Sequence, residues 1–192
     1  MVTDLVHETP LRGGCNGPRQ VLRRADTAVL VALQDRLAQS LVITSARALS
    51  RFGEHAAGWL IVGGLAAMTR RGPRRRQWIK ASGSVLAAHA AAVVLKRIVR
   101  RPRPDDPRIR VLATTPSRLS FPSAHVSSST AAAITYGQLL GPAPARLALP
   151  MLVGPMAISR LVLGVHFPTD VVAAAALGWV VVRGIAPRGV RR

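Results

Sequence analysis

The sequence has few cysteines, few aromatic residues and few acidic residues. One cysteine among 192 residues, Cys15, excludes an internal disulfide and a metal site built from several thiolates. Aromatic residues make up 4% of the chain, which leaves few side chains to stack on nucleic-acid bases. The first ten residues carry Asp4 and Glu8 where a signal peptide needs a basic segment and then an apolar run. We therefore expect neither a disulfide-stabilised domain nor a cleaved signal peptide.

The shortage of acidic residues leaves the chain with a large positive charge. There are 27 Lys and Arg residues against 8 Asp and Glu, for a formal net charge of +19. This charge implies an anionic partner, and nucleic acid, anionic lipid headgroups and phosphorylated substrates all qualify. The cations fall between apolar segments rich in Ala, Val, Leu and Gly, a composition typical of helices that pack closely in lipid. The pattern favours a lipid bilayer as a partner and disfavours nucleic acid.

The apolar residues predict five helices in the second part of the chain. These segments fall at about 56–69, 78–95, 126–140, 147–158 and 171–185. Each is shorter than the ~20 residues that cross a bilayer comfortably, but flanking Arg side chains extend the usable length. We predict an all-α fold, a multi-pass transmembrane helical bundle of about five apolar helices, with Pro150 making the fourth irregular. A soluble helical bundle is the alternative.

The remaining residues predict how the domain begins and ends. Residues 1–25 are predicted to be a disordered basic tail, and residues 26–192 to form a single domain. Within it, residues 26–51 form an amphipathic helix with Asp26 as its N-cap, residues 52–187 form the bundle core, and residues 188–192 are a basic tail. The amphipathic helix lies either on the membrane surface or against the bundle, and both arrangements fit the pattern.

The connections between the apolar segments predict where a site would form. If successive segments run antiparallel, the turns at 70–76 and 141–146 lie at one end of the bundle. The connections 96–125 and 159–170 then lie together at the other end. They contain nearly every residue with catalytic potential, so we expect their polar side chains to converge. His89, inside the second segment, is expected to face the bundle interior.

A first polar block runs from Lys96 to Pro104. Pro102 and Pro104 end the preceding helix, so that Lys96 stays on the helix and Arg103 lies beyond it. An ammonium and a planar guanidinium placed in this way can hold different oxygens of one phosphate. Basic residues at the end of a membrane helix also serve as topological anchors, so this block alone does not separate the two roles.

A second block, Phe121-Pro122-Ser123-Ala124-His125, directly precedes the third apolar helix. The Ser123 hydroxyl and the free backbone N–H groups of a helix start can bind an anion. His125 can protonate a leaving oxygen. The alternative is that Ser123 only caps the helix and His125 faces solvent.

The third block runs from Ser159 to Asp170. His166 and Asp170 are four residues apart, and Pro168 suits a first helical turn, so the carboxylate can reach back to the imidazole. Such a bond fixes the tautomer and supports positive charge while the other ring nitrogen attacks phosphorus. Arg160 offers a second guanidinium to the phosphate oxygens. Two histidines and one carboxylate among so many cations make a poor metal site, so we expect no metal and no cofactor.

Taken in order, the three blocks resemble the signature of the type-2 phosphatidic-acid phosphatase superfamily. That signature reads Lys, six residues, Arg-Pro; then Pro-Ser-Gly-His; then Ser-Arg, five residues, His, three residues, Asp. The chain departs from it at Ala124, which stands in place of Gly, and an alanine with negative φ keeps the backbone N–H donor. The resemblance covers residues 26–185.

The resemblance implies a metal-independent lipid phosphatase that acts through a covalent phosphohistidine. In that scheme His166 is the nucleophile, Asp170 orients it, and His125 is the acid for the leaving group. The phosphate is held by Lys96, Arg103, Ser123, Ala124 and Arg160. The resemblance also implies a multi-pass protein of the cell membrane, with its site on the extracytoplasmic face as in many lipid phosphatases.

A closer resemblance narrows the range of expected substrates. The size and the Arg and Ala content are similar to the actinobacterial decaprenyl-phosphoryl-phosphoribose phosphatases, which serve arabinan formation in the cell wall. Undecaprenyl diphosphate, phosphatidic acid and phosphatidylglycerol phosphate are the alternative lipid-phosphate substrates. An alternative of another class is a non-catalytic basic membrane protein that binds anionic lipid. That function needs only clustered Lys or Arg residues, so it does not explain the Ser, His and Asp residues of the blocks. The sequence specifies no oligomeric state.

Overall fold

The computed structural model describes residues 17–185, and most of them lie in helices. In chain order these are α1 (Pro18–Leu37), α2 (Ser40–Gly53), α3 (Ala57–Met68), α4 (Gly72–Val99), α5 (Ala124–Leu140), α6 (Pro142–Ala148), α7 (Gly154–Val162) and α8 (Pro168–Ile185). A 3-10 turn, Glu54–Ala56, joins α2 to α3, and a π-helical turn, Leu149–Val153, joins α6 to α7. The one β pairing within residues 17–185 is a single bridge between Pro102 and Leu119. The predicted all-α fold is confirmed.

Helix α5 lies at the centre of the bundle because its side chains are small. It packs against α4, α8 and α6, and an unbroken run from Val126 to Ala133 is buried. Ser, Thr and Ala side chains let neighbouring backbones approach closely. Some hydroxyl groups bond to neighbouring helices: Ser129 accepts a hydrogen bond from the Trp59 indole at 2.9 Å, and Ser127 donates to the Ala88 carbonyl at 3.1 Å. This central helix carries the second polar block at its N-terminus.

A helix occupies each of the five predicted apolar positions, but not all five are shown to be membrane crossings. Three helical stretches are long and apolar enough to cross a membrane, namely Gly72–Val99, Pro142–Val162 and Pro168–Ile185. The predicted count of five is therefore not confirmed. The irregularity predicted around Pro150 is present as the π-helical turn within the second of these stretches.

The N-terminal prediction needs correction. The first helix begins at Pro18 rather than near Asp26, so residues 18–25 are helical and not part of a disordered tail. Asp26 is not an N-cap, because it lies inside α1 with 4% of its surface exposed. The single helix predicted over 26–51 is divided into α1 and α2, and α1 packs against the bundle through α7 and α8. Residues 1–16, with Cys15, and residues 186–192 lie outside the described residues.

The two long connections meet at one end of the bundle, as predicted. The Arg103 N–H donates to the Arg118 carbonyl at 3.2 Å, and the Ser120 N–H donates to the Arg101 carbonyl at 2.8 Å. These bonds fold the first connection back on itself. The Ser123 N–H then donates to the carbonyl of Asp170 at 3.3 Å. The three polar blocks are therefore joined through their backbones.

Candidate active site

A cavity of about 890 Å³ lies at this end, between α2, α4 and the two connections. Two of the eight predicted site residues, Ser123 and Asp170, are fully buried outside its lining. The other six line it: Lys96, Arg103, Ala124, His125, Arg160 and His166. Residues separated by up to 70 positions in the sequence thus share one concave surface, a typical form of a small-molecule site.

His166 reaches the cavity because the chain turns sharply after α7. Gly164 adopts a left-handed conformation with φ of 69°, and its N–H donates to the Leu161 carbonyl at 2.9 Å. A Cβ atom on Gly164 would lie 2.3 Å from the backbone oxygen of Arg110, so the turn has room only for glycine. The turn places His166 between the end of α7 and Pro168, the first residue of α8.

The two ring nitrogens of His166 have different neighbours. Nδ1 lies 3.5 Å from Oδ2 of Asp170, and Nε2 lies 3.4 Å from Nη1 of Arg103. Because a guanidinium nitrogen only donates, the tautomer that carries its proton on Nδ1 fits both neighbours. The 3.5 Å separation is longer than a hydrogen bond, so the carboxylate faces the imidazole without bonding to it. In this tautomer Nε2 keeps its lone pair, so it is the ring nitrogen that is available for nucleophilic attack.

Burial and positive charge keep the His166 imidazole neutral. Its side chain is almost fully buried, and this burial lowers its pKa well below the usual value of 6.5. The charges of Arg103, Arg160 and Lys96 lower the same pKa further. A neutral imidazole is the form that can attack phosphorus.

Asp170 is held in place by the start of α8. Its Oδ2 accepts a hydrogen bond from the Phe167 N–H at 2.8 Å. Phe167 directly precedes the helix and Asp170 follows three residues later, so this bond is one half of a capping box. The capping geometry aims the carboxylate back toward His166, as the four-residue spacing predicted.

Arg103 is fixed by backbone carbonyls. Its Nε donates to the carbonyl of Ser117 at 2.8 Å, and its Nη1 donates to the carbonyl of Val165. Burial lowers the pKa of Arg103 to about 10, so the guanidinium stays charged at neutral pH. Arg103 therefore presents a rigid cation beside Nε2 of His166. Lys96, at the end of α4 and 9% exposed, adds a second cation to the same cavity.

Ser50 on α2 positions two predicted site residues, and sequence reasoning missed it. Its Oγ accepts a hydrogen bond from Nη1 of Arg160 at 2.6 Å, and its carbonyl oxygen lies 3.1 Å from Nε2 of His125. Gly53 allows this approach, because a Cβ atom there would lie 2.8 Å from Cδ2 of His125. Nothing in the spacing of α2 distinguishes Ser50 from a serine that bonds only within its own helix.

The start of α5 presents backbone donors to the site. Ala124 and His125 occupy the first turn, where amides have no acceptor within the helix. Ala124 has helical φ, so it keeps the N–H donor of the glycine that it replaces. The Ser123 side chain makes no capping hydrogen bond, which removes the alternative that it serves only as a cap.

Several buried polar atoms of the site have no hydrogen-bond partner among the described residues. They are Oγ of Ser123, Nε of Arg160 and Nδ1 of His166. Buried polar groups are normally paired, so their concentration in one place fits a site that binds a polar ligand. The fourth such atom in this part of the chain is Nδ1 of His89, which also lines the cavity.

Arg101 connects Asp170 to α1, and sequence reasoning did not single it out. Its Nη1 donates to Oδ1 of Asp170 at 2.8 Å, and its Nη2 donates to Oδ2 of Asp26 at 2.7 Å. The guanidinium also lies 4.2 Å from the ring centre of Phe167, and Asp26 accepts from the Thr169 N–H at 3.1 Å. The available signal was the Arg-Pro pair at 101–102, which repeats the pair at 103–104.

Within residues 17–185, no group of three or more His, Cys, Asp or Glu side chains is arranged to hold a metal ion. The cations around His166 are protein side chains. The chemistry that these residues can perform is therefore anion binding, nucleophilic attack by an imidazole and proton transfer by a second imidazole.

Known proteins are similar to this chain in sequence and in fold. Residues 77–189 match the PAP2 superfamily. The decaprenylphosphoryl-5-phosphoribose phosphatase of Mycolicibacterium smegmatis is 56% identical over 151 residues, 78% of this chain and 81% of that protein. The protein of the same name from Mycobacterium tuberculosis is 50% identical over 159 residues, 81% of this chain and 85% of that protein.

A solved structure has a similar fold. It is the transmembrane PAP2 type phosphatidylglycerolphosphate phosphatase of Bacillus subtilis, with a TM-score of 0.70 and 21% sequence identity. The alignment covers 86% of this chain and 84% of that one. At this identity the likeness concerns the arrangement of the helices.

The family match and the geometry agree. The matched residues make up more than half of the chain and contain all three polar blocks, from Lys96 to Asp170. Those blocks are the parts of the sequence that the fold brings to one cavity. The resemblance read from the sequence is thus confirmed, and this chain belongs to the PAP2 superfamily.

Proposed function

We propose that this protein is a metal-independent membrane phosphatase that hydrolyses a phosphomonoester of a lipid-linked substrate through a phosphohistidine on His166. The observation that carries the proposal is the buried His166 imidazole, whose Nε2 lies 3.4 Å from Nη1 of Arg103 at a cavity that Lys96 and Arg160 also line. Three cations around one nucleophilic nitrogen complement the charge of a phosphate.

In the first step, the Nε2 lone pair of His166 attacks phosphorus and the bond from phosphorus to the ester oxygen breaks. Lys96, Arg103 and Arg160 stabilise the negative charge of the nonbridging oxygens. His125, doubly protonated when the phosphate dianion is bound, gives its Nδ1 proton to the departing alkoxide, while its Nε2–H faces the Ser50 carbonyl.

Asp170 acts while the imidazole carries positive charge. Its Oδ2 is 3.5 Å from Nδ1 of His166, and a small closure makes a hydrogen bond to the Nδ1 proton. In the second step, water attacks the phosphohistidine and His125 takes a proton from it. The bond between phosphorus and Nε2 breaks, inorganic phosphate leaves, and His166 returns to its neutral form.

The substrate we assign is a decaprenylphosphoryl-5-phosphoribose, from which the 5-phosphate is removed. The support comes from the two mycobacterial relatives that carry this substrate in their names and are 56% and 50% identical to this chain. Their identity extends over 78% and 81% of the chain. Phosphatidylglycerol phosphate, phosphatidic acid and undecaprenyl diphosphate are the competing substrates.

A phosphate-release assay with purified protein in nanodiscs tests the substrate and the nucleophile together. The phosphoribosyl lipid is expected to be hydrolysed fastest of these four lipids, and hydrolysis is expected to survive EDTA. The His166→Ala variant is expected to fall to background and to lose an acid-labile phosphoenzyme. A preference for another lipid would overturn the substrate, full activity of His166→Ala would overturn the mechanism, and EDTA sensitivity would overturn metal independence.

A second variant tests the acid. p-Nitrophenyl phosphate has a leaving group that needs little protonation, whereas an alkyl phosphate needs a proton donor. Phosphoenzyme formation by His125→Ala is therefore expected to fall about 10²–10⁴-fold with the alkyl phosphate and much less with the aryl phosphate. Equal losses with both substrates would contradict the acid role of His125.

We place the site on the extracytoplasmic face of the cell membrane. The α3–α4 turn, taken with the first turn of α4, contains five exposed Arg residues within 70–76. It lies at the other end of α4, about 35 Å from Lys96 along the helix. Cations in a short loop favour the cytoplasmic side. Some cations at the site end are paired with carboxylates, as in the Arg23–Asp105 and Arg108–Asp106 pairs.

A further inference from the structure

The cavity has a second group of polar side chains that the phosphatase chemistry does not use. One part of the cavity lining, around His166, is formed by the residues assigned to the transferred phosphate. Another part is formed by five basic side chains, Arg47, Arg51, His55, His89 and Arg97, with one carboxylate, Glu54, among them. None of the five is a fixed position of the superfamily signature, although Arg97 follows Lys96 within the first block. They come from α2, from the 3-10 turn after it and from α4, on the two sides of the cavity.

The α2 side places Arg51 and His55 next to the catalytic residues. Arg51 directly follows Ser50, which contacts both Arg160 and His125. His55 comes four residues later, in the turn that joins α2 to α3. His55 and Ala56 both adopt left-handed conformations, with φ of 50° and 60°. Successive left-handed residues without glycine are strained, and such strain concentrates at functional sites.

The α4 side places His89 on the same helix face as Lys96, and Arg97, the residue after Lys96, also lines the cavity. Seven or eight residues make about two helical turns, and His89 lies about 10 Å before Lys96 along the axis. The rings of His89 and His55 have centres 6.3 Å apart. Nδ1 of His89 is buried and has no hydrogen-bond partner in the described part of the chain. The two imidazoles therefore lie close together at the cavity, and Nδ1 of His89 can pair with a polar ligand atom.

We propose that Arg51, His55, His89 and Arg97 form a second anion subsite, which binds the phosphodiester group of the lipid-linked substrate. This inference rests on the proposed function, in which the substrate carries a 5-phosphate and a decaprenylphosphoryl group on one ribose. The 5-phosphate lies at His166. The sugar bridges the two subsites, and the phosphodiester lies beside the histidine pair.

The direction of the cavity agrees with this arrangement. α4 runs from the opposite end of the bundle toward the site, so His89 lies nearer the membrane interior than Lys96 does. A lipid chain attached to the phosphodiester must leave on that side. Leu86 and Val94, on the same helix, are about half exposed and offer apolar surface to an isoprenoid chain.

The chemistry of the four residues suits a phosphodiester. Such a group has one negative charge and two nonbridging oxygens, which guanidinium groups bind by paired hydrogen bonds. An imidazole in either protonation state has an N–H to donate. A lipid with a single phosphomonoester, such as phosphatidate, has no second anion for Arg51 and Arg97. The subsite therefore selects two-phosphate lipids over phosphatidate.

Steady-state kinetics in nanodiscs test this selection. The substrates are the phosphoribosyl lipid and phosphatidylglycerol phosphate, which both carry a phosphodiester beside the monoester, and phosphatidate, which does not. The Arg51→Gln/Arg97→Gln variant is expected to raise KM for the two-phosphate lipids about 10–100-fold. Its KM and kcat for phosphatidate are expected to stay unchanged. His89→Gln is expected to change KM selectively in the same direction.

The control removes the same charge elsewhere. Arg36→Gln/Lys80→Gln replaces exposed cations of α1 and α4 outside the cavity, and it is expected to leave all three lipids unaffected. Equal losses on all lipids, no loss on any, or failure to hydrolyse either two-phosphate lipid would overturn the subsite. A further outcome separates the subsite from the proposed substrate. If phosphatidylglycerol phosphate is the only two-phosphate lipid hydrolysed and Arg51→Gln/Arg97→Gln impairs its hydrolysis selectively, the subsite is supported and the phosphoribosyl substrate is contradicted.

Discussion

Among single residues, Arg101 has an unusual position between two buried carboxylates. The side chains of Asp26 and Asp170 are 3% and 0% exposed, and Arg101 donates to both. A guanidinium can do this because its planar fork directs different nitrogens to different acceptors, whereas an ammonium is a single point charge. Arg101 is thus a positioning residue, since it holds the carboxylate that faces His166.

Replacing Arg101 is expected to lower both stability and kcat. Arg101→Gln leaves two buried carboxylates without a counter-charge, which costs about 3–5 kcal/mol of unfolding free energy. Asp26→Asn in the same chain is expected to restore part of that stability, while kcat stays low because Asp170 is still unpaired. Chemical denaturation in mixed micelles and phosphate release measure the two effects. The matched control is Arg100→Gln at the exposed neighbour, and wild-type stability of Arg101→Gln would contradict the role.

His166 is expected to make stability depend on pH in one direction. Its folded pKa is well below the ordinary 6.5 of the unfolded chain, so below pH 6.5 the unfolded chain binds a proton that the folded protein does not. The contribution of the neutral imidazole to the free energy of unfolding is fully present above pH 6.5, and it is lost progressively as the pH falls below that value. ¹⁵N NMR of labelled histidines is expected to find His166 neutral at pH 6.5, with His166→Asn identifying its signal. A titration midpoint near pH 6.5 for that signal would contradict the prediction.

At the scale of elements, the turn between α7 and α8 determines where His166, the proposed nucleophile, lies. The turn needs Gly164, because its φ of 69° is left-handed and its Cα faces the Arg110 backbone. The turn also bonds to the preceding connection through the Leu112 N–H, which donates to the Leu163 carbonyl at 3.0 Å. Gln34 of α1 bonds to Val162 and Arg110 on either side of it.

Gly164→Ala is therefore expected to displace His166 and to reduce both stability and phosphate release. Backbone strain and the contact with the Arg110 oxygen act together, and the strain alone costs about 1–2 kcal/mol. The control is Gly83→Ala in the middle of α4, where a Cβ atom meets nothing within 4 Å. There alanine is expected to be neutral or stabilising, because it favours the helix. Equal thermal stabilities and activities for the two variants would count against this account of the turn.

At the scale of the whole molecule, the bundle separates two basic ends. One end contains the cavity with its cations, and the other contains the exposed Arg residues of the α3–α4 turn. The ends lie about 35 Å apart along α4, which exceeds the hydrocarbon thickness of ~30 Å. The placement of the site on the extracytoplasmic face therefore predicts opposite accessibility for the two ends.

Cysteine labelling of whole cells tests that placement. In a Cys15→Ser background, Thr114→Cys reports the site end and Thr69→Cys reports the other end, and both threonines are exposed. A membrane-impermeant maleimide is expected to label the first variant in intact cells and the second only after lysis. The reverse pattern would place the site in the cytoplasm.

The sequence by itself determined the helical class and the family, and it predicted the chemistry. Residue types at fixed spacing singled out His125, His166 and the cations that line the cavity, because the spacing of a motif reflects the local geometry of a helix end or a turn. The antiparallel order of the apolar segments further predicted that the three blocks meet at one end. Their catalytic roles remain predictions that the variants above test.

Only the tertiary structure decided which residues support that chemistry from a distance. Ser50 and Asp26 have no sequence signal, because each acquires its partner across 75 or more positions of chain. The residues next to Asp26 resembled the start of a helix, so it was predicted to be an N-cap. Its actual partner, Arg101, lies 75 positions away and is not part of that local pattern. Short-range spacing specifies local geometry, whereas partners across the bundle are set by how the helices pack against one another.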